Sequence, residues 1–200
     1  MPDSPSSKTQ LRQQLRQQRR GLSRELQIQE AIAAATLAPQ LDNWPDTRRI
    51  AVYMANDGEL ETGPLAALCR EADKMLFLPV IGDNNLLAFA HWSGEDQLEP
   101  NHYGIPEPSS DAPRCAAPEL DIIFLPLVGW DKTGGRLGMG GGYYDRTLAG
   151  LDRGAPGIGP LLVGLGYALQ EVARIPRDDW DVTMDYVMTS RGLHDCRRIR

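Results

Sequence analysis

The chain has 200 residues, 42% of them hydrophobic and 24% charged, and a net charge of -6. These are the values of a soluble globular protein, outside the ranges of collagenous, disordered or disulfide-scaffold sequences, and they suit a single domain over residues 1–200. The charge is uneven, since residues 1–26 hold Lys8, Arg12, Arg16, Arg19, Arg20 and Arg24 against Asp3 and Glu25, a sum of +4 that leaves -10 for the remainder; a broad nucleic-acid-binding face is excluded, a local anion site is not.

Residues 1–6 read as a flexible tail. Ser6 or Ser7 can cap a first helix over residues 8–20, which Gly21 terminates. A second helix starts near Ser23 and runs through Ile28, Ala31, Ile32, Ala35 and Leu37 until Pro39 interferes. Residues 49–54 read as a buried strand, Thr62 as the cap of a helix through Leu65, Leu68 and Ala72, and residues 75–81 as a second strand, so a right-handed parallel crossover is expected. Residues 86–92 give a weaker strand signal. Residues 93–118, with five prolines, read as a long loop of the kind that forms a flap or mobile excursion. The clearest buried strand covers 121–128; further strands are expected at 161–165 and 186–189. The sum is a three-layer α/β/α domain with a mostly parallel central sheet, preceded by N-terminal helices.

Three cysteines without C-x-x-C spacing predict a reducing compartment, and scattered histidines give no zinc signature. With no apolar leader and no apolar run of spanning length, a cytoplasmic protein is expected, with no membrane partner.

Seven of the 20 glycines fall between Gly129 and Gly142. The segment Gly134-Gly-Arg-Leu-Gly-Met-Gly-Gly-Gly-Tyr-Tyr-Asp-Arg146 follows a strand and precedes a helical Thr147-Leu148. Glycine lets backbone N–H groups close around phosphate oxygens, and ligands of an open α/β sheet sit beyond the carboxyl ends of its strands, so this order suggests an anion cradle. Arg136 and Arg146 add positive charge, and Asp145 offers a hard oxygen to magnesium. A glycine-rich turn with a surface Asp–Arg pair is the alternative. No Gly-Lys-Ser/Thr closes the segment, so it is not a P-loop.

The run from Leu125 to Leu148 resembles the signature of the 5-formyltetrahydrofolate cyclo-ligase family. The resemblance extends to Lys8-x-x-x-Arg12, Glu59-Leu-Glu-Thr62, Tyr103-Gly-Ile-Pro-Glu-Pro108 and Asp181-x-x-x-Asp185, and so covers most of the chain from Lys8 to Thr189. It implies an enzyme that closes 5-formyltetrahydrofolate to 5,10-methenyltetrahydrofolate, converting ATP to ADP and phosphate with Mg2+. The formyl oxygen takes the γ-phosphoryl group as an imidate phosphate, N10 attacks the activated carbon, and phosphate leaves. Two other functions fit the scaffold: a small-molecule kinase, and a non-catalytic nucleotide or folate-binding module.

By resemblance, Lys8, Arg12 and Arg136 are catalytic. They would bind ATP together with Leu137, Gly138, Met139, Gly140, Gly141, Gly142, Tyr143 and Tyr144. Folate would meet Met54, Glu59, Tyr103 and residues 139–143. Asp145 and Asp185 would hold magnesium, with Asp131 able to reach the same region. Lys8 and Arg12 stand about 6 Å apart along a helix axis, which lets both address one polyphosphate. A solvated basic face is the alternative for the whole run, and Arg16, Arg19, Arg20 and Arg24 are read as surface residues. Glu59 and Glu61 could instead favour the following helix N-terminus. Two departures from relatives matter: Gly141 stands where some carry a loop lysine, and Trp180-Asp181 where many carry His-Asp. A monomer acting on 5-formyltetrahydrofolate and MgATP is expected.

Overall fold

The computed structural model of the chain describes residues 5–151 and 159–199. Helix α1 (Pro5–Arg20) opens at a proline, whose missing N–H has no intrahelical acceptor at that position anyway. Ser6 and Ser7 therefore lie within the helix and not at its cap. Pro5 and Ser6 are helical, and residues 1–4, the rest of the expected flexible tail, lie outside the described residues. Gly21 ends α1 as expected, its N–H shared between the Gln17 and Gln18 carbonyls. Ser23 caps α2 (Arg24–Ala35) by accepting from the Leu26 N–H at 3.3 Å.

Strand β1 (Arg49–Ala51) stops earlier than the apolar run suggests, although Val52 still donates to Phe77 O. Thr62 precedes α3 (Gly63–Glu71) without capping it, because its hydroxyl donates instead to Tyr53 O at 2.6 Å and ties the helix entry back to the chain leaving β1. Strand β2 (Met75–Ile81) runs parallel to β1, completing the expected crossover, and β3 (Leu87–His91) returns antiparallel. The stretch 93–118 is not all loop. It contains the hairpin β4 (Leu98–Pro100) and β5 (Pro106–Pro108), and β6 (Arg114–Cys115), which pairs with β3 at the sheet edge. Beyond β7 (Ile122–Pro126) a small hairpin, β8 (Gly129–Trp130) and β9 (Arg136–Leu137), leads into α4 (Tyr143–Leu148), which begins four residues before the expected Thr147. Strands β10 (Leu161–Leu165) and β11 (Tyr186–Thr189) follow, and β12 (Gly192–Asp195), which the sequence did not announce, closes the edge.

The main sheet has the order β12-β11-β10-β7-β1-β2-β3-β6, with β11, β10, β7, β1 and β2 mutually parallel. Period-two alternation splits the core between its faces. Ile50, Leu76, Ile122, Phe124 and Val163 join α2 and α3 on one side. Ala51, Phe77, Ile123, Leu125 and Leu162 face α4 and the connecting segments on the other. Each of these buried side chains larger than Ala51 stabilises the fold by about 1.5–3 kcal/mol.

The chain leaves β1 toward β2 and resumes at β7 on the opposite flank, so the loops after β1 and β7 diverge at the sheet's topological switch point. Helix α1 lies across this end: Leu11 and Leu15 pack on Val128, Leu137 and Ile175. Among the described residues no helix is long and apolar enough to cross a membrane.

Candidate active site

The glycine segment starts from a rigid base. Asp131 is fully buried at the turn between β8 and β9. It accepts from the N–H groups of Thr133 (2.8 Å), Gly135 (3.1 Å) and Ile175 (2.8 Å), and Arg177 stands 3.3 Å away. Burial alone would raise its pKa, but these donors outweigh burial and hold it below the ordinary aspartate value. Asp131 is thus committed to the turn. Beyond β9 the chain passes Gly140 (φ +105°) and Gly142 (φ +66°), a path that L side chains rarely follow. At Gly141 a Cβ would lie 2.8 Å from the Tyr143 ring.

Arg136 and Asp145 meet across this loop, Nη2 donating to Oδ1 at 2.7 Å, and Arg136 also lies 5.6 Å from the centre of the Tyr144 ring. Tyr144 is half-buried, and desolvation raises the pKa of its hydroxyl and keeps it protonated. Arg146 donates to Gly141 O at 2.7 Å and packs on Tyr143, so it braces the loop from outside.

From α1, Arg12 Nε donates to Gly138 O at 2.7 Å, which brings the basic helix onto the glycine loop. Lys8 bonds Asp178 (2.7 Å) and Asp181 (3.0 Å). Desolvation would lower its pKa, but the two carboxylates outweigh it and raise the value. Arg19 is fully buried, which corrects its reading as a surface residue; Arg16 and Arg20 share its partner Asp57. Sequence reasoning missed Arg19 and Asp178. Arg19 carried a signal, because it continues the buried stripe Leu11, Leu15 at a spacing of four.

Opposite α1, the loop after β1 supplies Met54 and Glu59. Glu59 accepts from the Asn56 N–H at 3.2 Å and faces Arg19 at 3.8 Å. Desolvation raises its pKa, and Arg19 counters part of that. The tip of the β4–β5 hairpin brings exposed Tyr103 to Tyr143, with hydroxyls 2.9 Å apart and rings edge to face at 6.2 Å. Tyr103 therefore meets the glycine loop at Tyr143 and Arg12 meets it at Gly138, while Arg19 stands between Glu59 and Met139.

The two aspartates expected to hold magnesium differ. Asp145 has one oxygen on Arg136 and on the Val182 N–H, and it stands beside the glycine loop. Magnesium usually keeps several waters and takes one or two carboxylates plus substrate phosphates, so Asp145 fits an ion that arrives with a nucleotide. Asp185 does not fit. It is buried at the entry to β11, where its carboxylate accepts from Leu162 N–H at 2.9 Å near the start of β10, away from the carboxyl ends of these strands. Among the described residues no group of three or more His, Cys, Asp and Glu could hold a metal ion by itself.

The sequence profile of the 5-formyltetrahydrofolate cyclo-ligase family matches residues 4–190. The chain is 37% identical over 140 residues to the 5-formyltetrahydrofolate cyclo-ligase of Haemophilus influenzae, spanning 68% of this chain and 73% of that one. It is 37% identical over 145 residues to the enzyme of that name from Escherichia coli, spanning 70% and 76%. The fold superposes on the solved 5,10-methenyltetrahydrofolate synthetase of Aquifex aeolicus with a TM-score of 0.81 and 29% identity, covering 95% of this chain and 93% of that one.

Proposed function

The chain belongs to the 5-formyltetrahydrofolate cyclo-ligase family, and from that premise we propose that it closes 5-formyltetrahydrofolate to 5,10-methenyltetrahydrofolate at the glycine loop, converting ATP to ADP and phosphate. The observation that carries the assignment to this loop is its shared position. Arg12 grips it at Gly138, and the Tyr103 hairpin reaches it at Tyr143.

The chemistry explains why two ligands must meet there. A formyl oxygen is a poor leaving group. Once it has taken the γ-phosphoryl group it departs as phosphate when N10 attacks the formyl carbon, and the original oxygen leaves within that phosphate. The protein's part is alignment and charge neutralisation. Lys8 and Arg12 hold the polyphosphate, Lys8 exchanging Asp178 and Asp181 for phosphate oxygens as ATP enters. The backbone of residues 138–142 follows the phosphates. Arg136, held by Asp145, directs its guanidinium at the transferring group, a cation beside the loop where some relatives carry a lysine at the position of Gly141. Asp145 is the residue that would hold magnesium, which neutralises phosphate charge when bound. On the folate side, Glu59 accepts hydrogen bonds from the pterin, Met54 and Met139 line its path, and Tyr103 packs against the ring.

We place the enzyme in the cytoplasm, supported by the three cysteines being free and buried, and take it to act as a monomer. The decisive experiment incubates the protein with 5-formyltetrahydrofolate and MgATP and follows the near-ultraviolet absorbance of the methenyl product, with each component omitted in turn. ATP-dependent product is expected. ADP release without the absorbance would make it a kinase, and binding without either would make it a binding module.

A further inference from the structure

We propose that Arg19 is the positioning residue of the folate half of the site, a buried guanidinium that holds the Glu59 carboxylate and the Met139 thioether in place for the pterin without touching the substrate itself. The inference rests on the reading of Glu59 as a folate ligand and adds the residue through which that ligand is set.

Arg19 is 0% exposed and stands at the switch point where the loops after β1 and β7 diverge. Its Nε donates to Asp57 O at 2.9 Å and Nη1 to Leu127 O at 3.1 Å. Nη2 donates to Asp57 Oδ2 at 2.9 Å, and also lies 3.7 Å from Met139 Sδ and 3.8 Å from Glu59 Oε1. One rigid fork thus fixes the C-terminal turn of α1, the loop after β1, the end of β7 and the glycine loop.

Charge accounting separates this role from simple structural pairing. Burying a guanidinium is costly unless it is matched. Asp57 would match it, but Asp57 already pairs with Arg16 and Arg20, so three cations converge on one carboxylate. The surplus positive charge faces Glu59. At 3.8 Å the contact is too long for a hydrogen bond and short enough to steer a carboxylate. Glu59 Oε2 accepts from Asn56, whereas Oε1 is aimed by Arg19 without being consumed by it. An acceptor aimed in this way is what a ring N–H donor requires. Met139, held at the same nitrogen, remains 47% exposed on the loop.

The test is a double-mutant cycle of Arg19→Met and Glu59→Gln, read as separate KM values for folate and ATP, with thermal melts of every variant. Arg19→Met is expected to raise the folate KM by about tenfold or more and to change the ATP KM by no more than about twofold. In the Glu59→Gln background the same substitution should change the folate KM by no more than about threefold. Arg19→Lys, which keeps the charge but loses the fork, should fall between. It replaces Arg19→Met in the cycle, under the same criterion, if that variant does not fold. Equal factors in both backgrounds, or parallel rises in both KM values, would overturn the inference while leaving Glu59 as a folate ligand. A Glu59→Gln enzyme with an unchanged folate KM would overturn the reading of Glu59, and the inference with it.

Discussion

Lys8 is held by two carboxylates, and their proposed exchange for phosphate is what its role rests on. Asp178 and Asp181 keep the ammonium charged and place it, so its loss should act on the nucleotide alone. Lys8→Ala is expected to raise the ATP KM about tenfold or more with the folate KM little changed, and an unchanged ATP KM in steady-state kinetics would remove Lys8 from the nucleotide site. Glu59 carries a pH signature. It faces Arg19 and Arg16 from α1, with the buried phenol of Tyr53 and the half-buried one of Tyr144 nearby. Desolvation, the largest influence, leaves its pKa raised, so the carboxylate form needed to accept from the pterin is lost as pH falls through a value above the ordinary glutamate range. The folate KM should therefore climb on acidification sooner than for an exposed carboxylate, and Glu59→Gln should flatten that climb; identical profiles would show that another group titrates. Lys8, Arg12 and Glu59 are proposed for the site because their motifs name them. Arg19 was not legible in the sequence, because a run of arginines ordinarily reads as a solvated face, and only its register with Leu11 and Leu15 argued otherwise.

At the scale of elements, the site depends on two hairpins that look like loops in the sequence. The β8–β9 turn is closed around Asp131, whose oxygens satisfy the buried N–H groups of Gly135 and Ile175 and the part-buried one of Thr133. Asp131→Ala should lower stability by about 2–4 kcal/mol, measured by denaturant unfolding, since donors buried there lose their acceptor. A loss under 1 kcal/mol would mean that water reaches the turn. The β4–β5 hairpin presents Tyr103, whose ring is its useful part. Tyr103→Phe should leave the folate KM within about twofold, because an exposed hydrogen bond to Tyr143 contributes little, whereas Tyr103→Ala should raise it several-fold. Equal effects of the two would give the hydroxyl the leading role. These strands escaped notice for a physical reason. They are three residues long and bounded by prolines, so neither length nor alternation marks them, and what forms them is pairing with a partner several residues away. The long apolar strands, β2 and β7, needed no such help.

Across the whole molecule, the sheet order places the loops after β1 and β7 on either side of one crevice, and α1 lies over it. A ligand bound there engages segments from both ends of the chain and should stabilise the fold as a unit. MgATP at about 100 times its Kd should add about 2.7 kcal/mol to the unfolding free energy, seen as a rise in Tm, and Lys8→Ala, with a Kd about tenfold weaker, should remove about half of that rise at the same concentration. Legibility at this scale was high, because alternating strands and helices dictate a parallel sheet and a parallel sheet dictates where its ligands sit. The exception was Asp185. Its motif position suggested a metal ligand, while its place at the entry to β11 commits it to Leu162.

The contact of Lys8 with Asp178 and Asp181 spans 170 and 173 residues. On the ribosome, where the chain grows by roughly 5–20 residues each second, α1 is therefore made many seconds before the carboxylates that place its lysine exist. Until they emerge, Lys8 lacks its acidic partners, although Asp57, which pairs with Arg16, Arg19 and Arg20, and the glycine loop have already been made. The nascent chain must carry that lysine without its native partners through most of its synthesis, and on the proposed reading nucleotide-binding competence arrives only near completion.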